Sequence, residues 1–510
     1  MAKFNFDKTL TEFPTNSACV EFASLRFGFR AKLLFALALV LIAQSIDAPS
    51  LSAVSDESPN IVIILVDDMG YGDASCYNSN SKIPTPNIDS LARDGMRFTD
   101  AHAPGPLCHL SRYGLMTGEY PFRATTGKWR QQPSIASDQI TIASLLNASG
   151  YQTAMVGKWH LGFYENGYDQ PLKGGPVDVG FDSYFGIRAS TDIPPYFYIR
   201  GDRAVQAPTQ PVEAVQSPGW SPIQGAFSRE GLIAPDLELR DVLPRFTQEA
   251  IEVIDNHAKS KTEKPLMLYL AYPAPHTPWL PAPEFDGKSQ ASMYGDFTCM
   301  VDANIGQVLK ALDRNQMRED TMVIFTSDNG PVWYDADVDK YDHDSSGGLR
   351  GMKADAWECG HRMPFLIRWP GNVAEGATSD HLVCFTDLLA TFADIVGKQL
   401  PPDGGPDSFS FLPKLTGKPT EQPMREHLVI AAGSKMFTIR EGKWKYIAGL
   451  GSGGFSKPKN VKPVAGDPLA QLYNLDADLG ETNNLYQEHP AVVSRLKSKL
   501  KEIIEEGHSR

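Results

Sequence analysis

The chain is poor in cysteine, with six in 510 residues, it has no basic stripe, and only one of its apolar runs, near the N-terminus, suggests a membrane or export segment. Each shortage narrows the field. Acidic residues outnumber basic ones, 61 to 48, for a formal charge of -13, which argues against phosphate-backbone binding and makes nucleic acid an unexpected partner. That apolar run, LLFALALVLIA at 33 to 43, falls short of the roughly 20 residues a bilayer span needs, so no stable membrane span is expected. No sequence repeat occurs. With 42% hydrophobic and 21% charged residues the composition is ordinary globular, neither disordered nor fibrous, and suits one large domain with a smaller one.

Arg26, Arg30 and Lys32 precede the apolar run, and small residues follow at Ala48 and Ala53. Basic flank, short apolar core and small-residue exit read as a secretory signal over residues 1–48 with an over-long start, and predict an exported product, periplasmic or secreted. Cys19 leaves with that segment. Five cysteines remain, an odd number for a disulfide set, and Cys108 is a candidate for the unpaired one.

From residue 58 onward strand and helix patterns alternate. NIVIILV (60 to 66) is an unbroken apolar run, as in a strand buried on both faces. TAMVG, PLMLYLAY, TMVIFTS and PFLIRW read as further strands. Helical patterns lie in NIDSLARDG, ITIASLLNASG, LPRFTQEAIEVIDNHAKS, DFTCMVDANIGQVLKALDRN and DLLATFADIVG. The order predicts an α/β fold with a large mixed, mainly parallel sheet sandwiched by helices over 58–417. Residues 201 to 242, rich in Pro, Gly and Gln, read as a long surface insertion. Over 418–510 short strands and a charged amphipathic helix predict a C-terminal α+β subdomain with a small antiparallel sheet.

Two strands end alike. NIVIILV runs into Asp67-Asp68, and TMVIFTS runs into Asp328-Asn329. In open α/β sheets the carboxyl edge is where ligands bind. If the two strands are neighbours, three carboxylates meet there and require a cation, and an all-oxygen set selects a hard ion, Ca²⁺ or alternatively Mg²⁺. The bland alternatives are a helix cap for DDMG and a turn for DNG. Three further clusters follow other strands. GKWHLG offers Lys158 and His160, PAPHTP holds His276 between prolines, and LRGMKADAWECGHRMP offers Arg350, Lys353 and Arg362. Each also has a plain reading as solvated surface charge or exposed loop histidine.

PLCHLSRYGLMTG (106 to 118) leaves Cys108 as a buried thiol, half of a disulfide, or the reactive residue. DDMGYGD, this CxxSR segment with its LMTG, GKWHLG, PHTPW, SDNG, GMK and QLYNLDADLGETNNL occur in an order and spacing that resembles the type I sulfatases of the alkaline phosphatase superfamily. The likeness spans roughly residues 58 to 490. It implies that Cys108 is oxidised to formylglycine by a formylglycine-generating enzyme, with Asp67, Asp68, Asp328 and Asn329 holding calcium beside it. The aldehyde's hydrate is then the nucleophile, one hydroxyl attacking sulfur while deprotonation of the other expels sulfate. Arg112, Lys158 and Lys353 would offset charge, His276, shared with Lys353, would protonate the departing alcohol, and His160 would serve as the base. The expected substrate is a sulfate ester, a sulfated carbohydrate ahead of an aryl sulfate. The chain departs from the family pattern at Leu110, where Pro or Ala is usual, and at Cys359, where Gly is usual. Two other readings stay open: a phosphodiesterase of the same superfamily, and a non-catalytic sulfated-glycan binder carrying an unconverted Cys108.

Overall fold

The computed structural model describes residues 58–418 and 424–510; the expected export signal and Cys19 lie outside the described residues. A ten-stranded sheet forms the centre. Its strands are β1 (Asn60–Asp67), β2 (Met96–Phe98), β3 (Gln152–Lys158), β4 (Ser183–Ile187), β5 (Ile199–Arg200), β6 (Arg203–Ala204), β7 (Leu266–Pro275), β8 (Thr321–Ser327), β9 (Phe365–Arg368) and β10 (Ala377–Ser379). They lie in the order β10-β2-β9-β8-β1-β7-β3-β4-β5-β6. The central strands β8, β1, β7, β3 and β4 are parallel, whereas β9 runs antiparallel to both β8 and β2. The mixed, mainly parallel sheet predicted above is therefore present.

The apolar runs explain why these strands sit in the middle. Ile61 to Val66 are fully buried, as are Leu266 to Leu270 apart from a trace of Tyr269. Continuous apolar sequence suits a strand covered on both faces. The covering helices are α1 (Pro86–Arg93), α2 (Cys108–Thr117), α3 (Ile142–Ala148), α4 (Val242–Ser260), α5 (Ser292–Arg314) and α6 (Asp387–Ile395). Helix α5 packs on α1 and α4, and α6 packs on α2 and α3.

Register then places the site. Ile61 lies opposite Met267 of β7 on one side and Met322 of β8 on the other, and Ala271 of β7 lies opposite Gly157 of β3. An irregularity between Leu65 and Asp67 brings Asp67 opposite Pro275. Four parallel strands thus end at one edge, delivering Asp67-Asp68, Lys158, His276 and Asp328-Asn329 together.

The C-terminal part forms a second sheet, β11 (His427–Ala431), β12 (Phe437–Glu441), β13 (Trp444–Ile447) and β14 (Gln471–Asn474), antiparallel and in chain order. Helix α7 (Pro490–Glu506) packs across it, burying Val493, Leu496, Leu500 and Ile503 at helical spacing. The stretch 201 to 242 is largely irregular, with a two-stranded ladder pairing Gln210–Val212 with Gly231–Ile233, and Gln224 and Ser228 are buried within it.

Among the elements absent from the sequence reading, with the short strands β2, β4, β5, β6 and β10, is the helix that carries Cys108. Residues 108 to 117 form α2, with Cys108 as its first residue and Gly118 closing it in the left-handed conformation at φ 66°. The segment has Gly114 in its interior and no clean apolar period, because Ser111, Arg112 and Thr117 are buried alongside Leu115 and Met116.

Candidate active site

Cys108 stands at the centre of the strand edge. Its Sγ lies 3.4 Å from Asp67 Oδ1 and 3.2 Å from Lys353 Nζ, and the residue is only 4% exposed. Burial pushes its thiol pKa up, and the charges of Asp328 and Asp67 push the same way, so the unmodified residue is a neutral thiol.

The three carboxylates meet three cations. Lys158 Nζ pairs with Asp67, and Lys353 Nζ with Asp68. Arg112 donates from Nε (3.0 Å) and Nη2 (2.7 Å) to Asp328 Oδ2, lies 3.4 Å from Asp67 Oδ2, and donates from Nη1 to the Lys158 carbonyl at 2.9 Å. Burial alone would raise the Asp67 carboxyl, but Lys158, His276, Arg112 and Lys353 together hold it well below the usual carboxylate range.

Strand alternation would send the side chains of Asp67 and Asp68 to opposite faces. Instead Asp68 has φ 63°, in the left-handed region, and ligand atoms of Asp67, Asp68, Cys108 and His276 all lie within 4.8 Å of one another. Asn329 donates from Nδ2 to Asp68 Oδ1 at 2.6 Å, while its Oδ1 is buried with no partner. Three carboxylates and an unused amide oxygen in one dry spot fit a hard divalent cation.

The two histidines differ. His276 has Nδ1 2.8 Å from the Thr277 carbonyl, which leaves Nε2 facing the site, 3.6 Å from Asp68 Oδ2. His160 is buried with an unpartnered Nδ1 and packs edge-on against Trp129 at 4.2 Å. Burial, then Lys158 and His109, push its ring pKa well down, so it is neutral.

Two cations from the same sequence cluster as Lys353 are spent elsewhere. Arg362 lies 3.1 Å from Glu358 and 3.4 Å from Asp100, and Arg350 stacks on Trp357 at 3.8 Å and reaches the Glu481 carbonyl and Tyr473 hydroxyl. Cys359 is buried and lacks the left-handed φ that would demand glycine, so this position accepts a side chain. All five described cysteines are free thiols.

Several neighbours were not singled out from sequence. His109 follows Cys108 and lies 5.8 Å from His160, ring to ring. Asp192, paired with Arg229 from the insertion, has its free Oδ1 3.9 Å from His276 Nδ1. A second buried cluster, His102, Glu358 and His361, has the donor types of a metal site, but its atoms are already engaged. His102 Nε2 faces Asp100 at 2.8 Å, the two Nδ1 atoms meet at 2.9 Å, and Lys445 Nζ lies 3.4 Å from His361 Nε2 and 2.9 Å from Glu358. A cleft of about 1060 Å³, lined by Tyr113, Glu119 and Gln139 among others, contains none of the residues around Cys108.

Comparison with known proteins bears on this geometry. The Sulfatase family model matches residues 59–398. The chain is 32% identical over 489 residues to an N-acetylgalactosamine-6-O-sulfatase of Bacteroides thetaiotaomicron, covering 88% of this chain and 94% of the relative. Human arylsulfatase A is 32% identical over 464 residues, 87% of each chain. A solved structure from work on glycosaminoglycan metabolism by Bacteroides thetaiotaomicron superposes with a TM-score of 0.77 at 32% identity, covering 88% of this chain and 99% of that one. With the family model spanning the whole strand edge around Cys108, the chain belongs to the sulfatase family and is a sulfuric ester hydrolase.

Proposed function

We propose that this sulfatase removes sulfate from a carbohydrate, with 6-O-sulfated N-acetylgalactosamine as the leading substrate, using formylglycine made from Cys108 and calcium held by Asp67, Asp68, Asp328 and Asn329. The observation that carries the reading is the position of Cys108 Sγ, 3.4 Å from Asp67 and 3.2 Å from Lys353, at the one point where the strand ends converge. The sugar assignment draws on the relative of that name, which the chain matches over 94% of its length. Export, to the periplasm or beyond, belongs to the same reading through residues 1–48.

Formylglycine supplies a hydrated carbon with two hydroxyls, one to attack sulfur and one to release sulfate, which neither a thiol nor an alcohol offers. A calcium ion held by Asp67, Asp68, Asp328 and Asn329 would supply Lewis-acid chemistry beside residue 108. The protein's own groups do the rest. Arg112, Lys158 and Lys353 surround residue 108 with fixed positive charge, so they bind sulfate and offset the charge that builds during transfer. With its Nδ1 tied to the Thr277 carbonyl, His276 presents Nε2 to deliver a proton to the departing sugar oxygen. The base role at sulfate release goes to His160, which is neutral with Nδ1 free of partners, although burial, Lys158 and His109 lower the basicity of its ring.

The test pairs a substrate panel with a mass measurement. Protein made with a formylglycine-generating enzyme is assayed on sulfated monosaccharides, sulfated oligosaccharides and nitrophenyl sulfate, and the peptide bearing Cys108 is weighed. Sulfate released from a 6-O-sulfated amino sugar, together with the aldehyde mass, is expected. Release from aryl sulfates alone overturns the carbohydrate assignment, and an active preparation with only unmodified Cys108 overturns the aldehyde.

A further inference from the structure

We infer that Tyr294 is a positioning residue for the cation site: its hydroxyl fixes the left-handed backbone of Asp68 that brings the second carboxylate alongside the first. The inference rests on the calcium reading above and extends it to a residue outside the ligand set. Asp68 has φ 63°, a conformation that aspartate adopts more readily than most residues but that still costs free energy relative to the extended strand, so contacts to its backbone help to hold it. Tyr294, from the first turn of α5 and 1% exposed, shares its one hydroxyl hydrogen between the Asp73 carboxylate, the nearer acceptor, and the Asp68 carbonyl at 3.2 Å, with Ser345 Oγ 3.4 Å away. That carboxylate accepts the Gly70 N–H at 2.6 Å through the same oxygen, and its other oxygen faces His343 Nε2 at 2.8 Å. The turn from 68 to 73 is thus tied at both ends to one buried phenol.

The neighbours leave this turn nowhere to go. Met69 N–H donates to Ser327 Oγ at 3.0 Å, and a Cβ at Gly70 would lie 2.0 Å from the Ser345 carbonyl. Tyr294 touches neither Cys108 nor a carboxylate of the ligand set. It would act on the cation site through the backbone of the 68–73 turn, directly at Asp68 and by way of Asp73 at Gly70, as groups behind metal ligands commonly do.

The experiment is calcium titration of the metal-stripped full protein by calorimetry, for wild type, Tyr294→Phe and Asp73→Asn, with melting temperatures recorded in EDTA and in calcium. Tyr294→Phe removes one oxygen and keeps the ring. Its calcium affinity is expected to fall on the order of 10-fold, its melting temperature in EDTA to stay near wild type, and its stabilisation by a fixed calcium concentration to shrink. Asp73→Asn, which keeps the phenol but weakens its anchor, is expected to move affinity the same way. Equal calcium affinity in wild type and Tyr294→Phe overturns the inference, as does a lower melting temperature in EDTA with affinity unchanged, which marks a merely structural residue. A wild-type protein that binds no calcium refutes the cation reading itself, and the role of Tyr294 falls with it.

Discussion

Asn329 gives its Nδ2 hydrogen to Asp68 Oδ1 at 2.6 Å and keeps its own Oδ1 buried without a partner. A buried acceptor is rarely left unused, and beside three carboxylates this oxygen suits the cation proposed above.

Changing Asp328 to Ala should therefore remove bound metal and activity together, with a loss in turnover above about 100-fold. Elemental analysis of the purified variant and wild type checks this. Stoichiometric zinc in the wild type, with neither calcium nor magnesium, would contradict it.

His276→Ala should discriminate between leaving groups. A sugar alkoxide needs a proton in the transition state and an activated phenolate does not, so the variant should lose roughly 100-fold or more on a sulfated sugar and far less on nitrophenyl sulfate. Equal losses on both would take the acid role from His276 and pass it to Lys353, which also contacts Cys108.

Leu110 is the third residue of α2, within the first turn, where a backbone N–H has no partner inside the helix. Proline is consequently compatible with the fold there. Because Leu lacks proline's fixed φ, the unfolded segment samples more conformations, and partial conversion of Cys108 is expected. Leu110→Pro should raise the converted fraction and the activity per mole of protein in parallel, leaving activity per mole of aldehyde constant. If protein made with a competent modifying enzyme shows only the thiol, the hydrolytic mechanism proposed here fails.

Asp302 on α5 accepts from the backbone N–H groups of Asn87 and Ile88 at the start of α1, yet burial outweighs these bonds and its pKa is pushed up to about 6. A folded value above the unfolded one means the folded state binds the proton more tightly. Stability from this group is full below about pH 4 and is lost as pH rises through 6, a change of order 3 kcal/mol. Denaturant midpoints from pH 4 to 7 should show the wild type losing stability relative to Asp302→Asn over that window. A flat difference would show that Asp302 does not titrate there.

The strand ends were legible because unbroken apolar runs stop abruptly at acidic pairs, and pairing of β1 with β8 does what matched sequence endings suggest. Lys158, His276 and Lys353 stood out as charged or titratable residues at or beyond strand ends, but only the family resemblance separated them from ordinary surface residues. Arg362 looked equally conspicuous and is committed to Glu358 and Asp100, since no sequence pattern tells which carboxylate a cation meets. Tyr294 and Asp192 were illegible for the converse reason. Each is an unremarkable letter whose partner lies far along the chain, 226 residues between Tyr294 and Asp68.

The strand order also acts as a clock. Both neighbours of β1 arrive late in synthesis: Leu266, at the start of β7, bonds Asn60 across 206 residues, and β8 follows still later. Lys353 reaches Cys108 from 245 residues downstream. On the formylglycine reading, a growing chain would hold Cys108 open to the modifying enzyme until most of the sheet has been made, and contacts of such long sequence separation form slowly even then. Once β8 slots between β1 and β9, the thiol is sealed. If Cys108 is converted as proposed, a molecule that closes first keeps its thiol, and the active fraction of a preparation is set while the chain is being built.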